Sequence, residues 1–126
     1  LNEEECGIVG TWLGIRSEPD ALLQGIAALR ATARGAVALQ LCITRGGEGA
    51  MLWSGDRWHS QPAVPVQVAD TVGAGDSFLA MLLAQRLRGV APQLALERAA
   101  ALGSFVASRA GAVPDYDPRQ LVPDFA

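Results

Sequence analysis

Eight residues, Asp70-Thr71-Val72-Gly73-Ala74-Gly75-Asp76-Ser77, constrain this chain more than any others. They lie between a short apolar stretch (Val64 to Ala69), which reads as a strand, and an apolar segment from Ser77 to Leu87, which reads as a helix. A glycine turn from strand into helix leaves backbone N–H groups unpaired at the helix start, where the helix dipole adds positive potential. An anion, typically phosphate, is favoured there. Asp76 puts a carboxylate at the same spot. It either caps the helix or acts as a base, taking a proton from a hydroxyl that attacks a bound phosphate.

Other glycine motifs fail on single residues. The dinucleotide fingerprint GxGxxG would need glycine where Phe78 stands, and a ring there blocks close helix–strand packing. The nucleophile elbow GxSxG fails at Leu79. All ten basic residues are arginine, which excludes a Walker-type P-loop, a Schiff-base lysine and a lysine base in this segment. A formal net charge of −3 argues against a general nucleic-acid or anionic-membrane surface. Cys6 and Cys42 read as buried free thiols of a reducing, cytoplasmic setting, and His59 alone cannot complete a zinc site with them.

At 126 residues, half of them hydrophobic and 18% charged, the chain has the length and composition of one globular domain. No apolar run approaches the ~20 residues of a membrane span, and no charged start leads into an apolar stretch as in a signal peptide. Leu1 rather than Met stands first, so the chain reads as the rear part of something longer.

Asn2-Glu3-Glu4-Glu5 opens a first helix: asparagine caps, Glu5 falls at the third helical position, and the acids complement the dipole. Ile8, Val9, Trp12 and Leu13 supply its expected apolar face, and Gly14 its end. Ser17-Glu18-Pro19-Asp20 starts a second helix running to Gly35 through Leu22, Leu23, Ile26 and Leu29. Ala36 to Thr44 reads as a buried strand of a largely parallel sheet, and Gly49 to Ser54 as the first arm of a hairpin turning at Gly55-Asp56. Gln93 to Arg109 is a helix buried on more than one side, with Gly111 as its terminal glycine. The tail, with Pro118 and Pro123, reads as irregular.

Three glycine-containing loops follow from this order: Thr44-Arg45-Gly46-Gly47-Glu48-Gly49 beyond the first strand, the Asp70 turn, and Arg109-Ala110-Gly111-Ala112. Singly they read as a connection, a capped helix start and a helix end whose last carbonyls lack partners. In this order and spacing, with Asn2-x-x-Glu5 and Ala99-Ala100-Ala101, they resemble the C-terminal signature of the PfkB (ribokinase-like) carbohydrate kinases, and bacterial fructokinases in particular. The resemblance implies a three-layer α/β/α fold with a mostly parallel sheet and an antiparallel hairpin edge. Residues 1–126 would be its nucleotide-binding and catalytic part, with the N-terminal sugar-binding part and lid absent.

The same resemblance assigns roles. Asp76 matches the catalytic base, and the amides of Gly73, Ala74 and Gly75 the anion hole. Thr44, Gly46 and Gly49 match the ATP loop, and Ala100 and Gly103 would border the adenine. Asn2 and Glu5 match a motif linked to magnesium, although a capping box explains them equally well. Asp70 and the carbonyls of Val72 and Gly111 fall where relatives with a monovalent-cation site hold potassium. The implied activity is transfer of the γ-phosphoryl of Mg-ATP to a sugar, with neither nucleic acid nor membrane as partner, and a homodimer is compatible with it. The alternatives are a nucleoside kinase of the same superfamily or a catalytically inactive nucleotide-binding fragment.

Overall fold

The computed structural model describes residues 1–31, 38–111 and 114–121. The second helix's expected run to Gly35, the strand start at Ala36, Ala112 and Pro123 lie outside them. Helices α1 (Glu3–Leu13) and α2 (Pro19–Ala31) precede strand β1 (Leu41–Thr44) and a 3-10 turn, Gly46–Glu48. Strands β2 (Ala50–Ser54) and β3 (Arg57–Gln61) then lead to α3 (Ala74–Leu87), α4 (Pro92–Ala107) and the short α5 (Pro118–Leu121). No helix among the described residues is long and apolar enough to cross a membrane.

The three strands form an antiparallel sheet in the order β1-β2-β3, and the tight turn at Gly55, with φ of 76°, makes the expected hairpin. Its parallel component among the described residues is one bridge, Asn2 to Thr44, where the Thr44 N–H donates to the Leu1 carbonyl at 2.8 Å. Strand alternation then builds two cores. Cys42, Ala50 and Leu52 face α3 and α4, joining Phe78, Leu82 and Leu96. Leu41 and Ile43 face α1 and α2, joining Cys6 and Leu22. The result is helices on both faces of a small sheet, the expected three layers. Trp58 pins one outer layer: its indole N–H donates to Asp20 of α2 at 2.8 Å, and its ring meets Trp53 edge-on at 5.6 Å.

At α1 the capping box forms as read, with Asn2 Oδ1 accepting from Glu5 N–H and Glu5 Oε2 from Asn2 N–H, both at 2.8 Å. Gly14 ends the helix in the left-handed conformation. Of the expected face, Val9 packs against the core as read, but the face is shifted. Cys6 and Gly10 point inward, whereas Trp12 is 79% exposed and Ile8 43%. The returning chain lies directly on Gly10, where a Cβ would stand 3.0 Å from the Ile15 carbonyl oxygen, and that approach selects the face.

Two helix boundaries also move. α3 begins at Ala74 rather than Ser77, because Gly73, at φ of 80°, takes the N-cap position. α4 ends at Ala107 with Ser108 as its C-cap, so Gly111 lies beyond the helix rather than closing it. Its burial on several sides holds: Ala95, Leu96, Ala99, Leu102 and Val106 are all buried.

Candidate functional site

A cleft of about 700 Å³ opens between the loop after β1, the stretch from Ala63 to Val68, the start of α3 and one face of α4. Thr44, Gly46 and Gly49 line it from the loop, Ala74 and Gly75 from the helix start, and Ala100 and Gly103 from α4. Asn2 completes the wall. Glu5, Asp70, Val72, Gly73, Asp76 and Gly111 are not on that wall. A second hollow of about 420 Å³, between β1 and the outward leucines of α3 (Leu79, Leu83 and Leu87), holds none of the predicted residues.

The loop is wound tightly. Arg45 N–H donates to the Gly49 carbonyl at 2.8 Å, and Gly49 N–H returns to the Gly46 carbonyl at 3.1 Å. Gly49 sits at φ of 99°, and a Cβ there would lie 2.1 Å from the Gln61 carbonyl oxygen. Only glycine fits a backbone that must turn this way against β3.

At the start of α3, Val72 N–H donates to Asp70 Oδ1 at 2.9 Å and Ala74 N–H to the Thr71 carbonyl at 3.2 Å. Ala74 therefore has its amide committed, which corrects its expected place in an anion hole: the turn that delivers the helix uses it. The amides of Gly73, Gly75 and Asp76 have no acceptor among the described residues. Asp76 is the third residue of α3, immediately beyond the cleft wall at Gly75, and its side chain is exposed. Among the described residues Asp76 makes no capping hydrogen bond and stands in the first turn of α3 only as an acidic residue.

The stretch Val64 to Ala69, expected as a strand, forms no strand with any of the described residues. Pro62 and Pro65 lack the N–H that a ladder needs, and the chain finds another acceptor. Ala69 and Asp70 both donate to the Ala107 carbonyl, at 2.9 and 3.1 Å. The end of α4 thus fastens the approach to the glycine turn, which also corrects the view that its last carbonyls all lack partners.

Of the expected cation ligands, Asn2 and Glu5 each commit one oxygen to the capping box, leaving Glu5 Oε1 over. Asp70 commits Oδ1 to the turn and keeps Oδ2. No group of three or more His, Cys, Asp or Glu gathers among the described residues.

Sequence reasoning missed the Ala63–Pro65 wall, Ser104 and the Ala107 carbonyl. The spacing Ala100-Gly103-Ser104-Ala107, a helical face of small residues, was the available signal for α4.

Residues 9–118 match the sequence model of the pfkB family carbohydrate kinase. The fructosamine kinase FrlD of Bacillus subtilis (strain 168) is 53% identical over 55 residues, which are 44% of this chain and 19% of that protein. The Arabidopsis thaliana ribokinase complexed with ribose and ATP superposes with a TM-score of 0.74 at 27% identity, covering 99% of this chain and 40% of the other. A Burkholderia thailandensis nucleoside kinase in complex with inosine gives 0.70 at 27% identity, covering 88% and 32%. The chain spans about a fifth to a third of the length of the curated relatives it matches.

Proposed function

The chain belongs to the pfkB family of carbohydrate kinases, and from that premise we propose that it is the nucleotide-binding and catalytic-base part of a kinase acting on a sugar of the fructose type. One observation carries this reading: the glycine loop, the start of α3 and the apolar face of α4 converge on a single cleft. At about 700 Å³ the cleft has the size of a small-molecule site. The fructose-type substrate is supported by the match to a fructosamine kinase.

ATP lies with its base against α4 and its phosphates between the Gly46–Gly49 loop and the amides of Gly75 and Asp76. Asp76 takes the proton of the sugar hydroxyl as that oxygen bonds to the γ-phosphorus. The bond from phosphorus to the β,γ-bridging oxygen breaks, and ADP leaves with the electron pair. The free amides at the helix start hold the charge on the transferring group, where one well-aimed donor contributes roughly 3–4 kcal/mol. The dipole of α3 adds to them.

Oxygen donors suit magnesium and potassium. Glu5 Oε1, next to the cleft residue Asn2, is the uncommitted oxygen for magnesium, and Asp70 Oδ2 with the carbonyls of Val72 and Gly111 for potassium. Magnesium supplies charge neutralisation on the phosphates when bound. The free thiols Cys6 and Cys42 fit a reducing compartment, the cytoplasm.

A second reading, nucleotide binding without turnover, is supported by the small share of its relatives that the chain spans. Measuring ADP release with fructose and with inosine, for this chain and for the full native product, separates the readings. The 126-residue chain alone should give no turnover, and the full product should turn over fructose-type sugars. Preference for inosine would assign a nucleoside kinase instead, and an inactive full product would leave nucleotide binding alone.

A further inference from the structure

We infer that the Ser104 hydroxyl is the side-chain group that holds the edge of the nucleotide base, an assignment that rests on the ATP reading above. The cleft's side-chain hydrogen-bonding groups are few, and all but one belong to the phosphate end. Asn2 and Thr44 flank the glycine loop, and Thr71 sits in the turn before α3. Along α4 the wall is Ala100, Gly103, Ser104 and Ala107, with Val64, Val66 and Val68 also lining the cleft. A flat, largely apolar base belongs in that part of the cleft, and Ser104 is the polar side chain on its α4 side.

The hydroxyl is also uncommitted. A serine within a helix commonly bonds back to a carbonyl three or four residues earlier. Ser108 does so, its Oγ donating to the Phe105 carbonyl at 2.7 Å. Ser104 Oγ has no such partner among the described residues, although its own carbonyl accepts the Ser108 N–H at 3.1 Å. The half-buried hydroxyl can therefore rotate to donate to a ring nitrogen or to accept from an exocyclic amine.

The test is calorimetric titration of the chain and of Ser104→Ala with ATP and, separately, with inorganic tripolyphosphate. Alanine is the better helix former, so the variant should fold, which its melting curve checks. The expected result is ATP affinity lowered about fivefold, the scale of one neutral hydrogen bond, with tripolyphosphate affinity unchanged. Equal ATP affinity in the two proteins overturns the assignment, as does an equal loss for both ligands, which would mark a structural role. A wild-type chain that binds no ATP removes the nucleotide reading itself, and the assignment with it.

Discussion

The backbone N–H of Asp70 donates to the Ala107 carbonyl at 3.1 Å, fastening the first residue of the glycine turn to the last turn of α4. The same aspartate closes the turn by accepting Val72 N–H on Oδ1 at 2.9 Å. Asp70 therefore holds the helix start in place from both its backbone and its side chain. Asp70→Ala should cost about 1 kcal/mol in urea unfolding, the typical worth of one such bond. Asp70→Asn keeps an acceptor and should stay within about half that loss. If Asp70 also carries potassium, the asparagine variant will lose any potassium stimulation of nucleotide binding while keeping its stability.

Gly49→Ala meets two obstacles, a φ of 99° and a Cβ placed 2.1 Å from the Gln61 carbonyl oxygen. Strain of this kind costs about 1–3 kcal/mol before the clash is counted. The variant should unfold at clearly lower urea concentration and bind ATP more weakly, because the loop it distorts lines the cleft. Gly47→Ala is the control: a Cβ there meets nothing within 4 Å, and its stability should change little.

Asp76→Asn, made in the full native product, should leave ATP affinity close to wild type and lower turnover by about a hundredfold or more, the usual share of a general base. The carboxylate makes no cap bond, so little stability is at stake. Near-normal turnover would remove Asp76 from the chemistry.

Burial raises the Cys42 thiol from its ordinary value near 9.0 to about 11. The unfolded chain gives up that proton first as pH rises, so stability is fully present below about pH 9 and falls until about pH 11. The loss from this one group amounts to at most about 3 kcal/mol. Denaturation measured from pH 8 to 11 should show it, and Cys42→Ala should flatten that part of the profile.

What the sequence made legible was local chemistry. Asn2 with Glu5 and the Gly55–Asp56 turn each depend on a few neighbouring residues, and each formed as read. Choices made by distant partners were not legible. Trp12 looks like core by spacing, but the returning backbone at Ile15 lies on Gly10 and Trp12 stays exposed. Val66–Val68 looks like a strand by composition, but the following residues bond to a helix carbonyl 38 positions away from Ala69. The site divided along the same line. Thr44, Gly46, Gly49, Ala74 and Gly75 line the cleft whereas Gly73, Asp76 and Gly111 of the same glycine motifs do not, and Ser104 emerged only once α4 was seen to form its wall.

The proposed site puts ATP in the cleft with its phosphates at the start of α3. Amide NMR of the 13.2 kDa chain titrated with Mg-ATP tests this directly. Saturable shifts are expected at Gly46, Gly49, Gly75, Asp76 and Ser104. No shift at millimolar ATP, or shifts confined to the hollow beside Leu83, would contradict it.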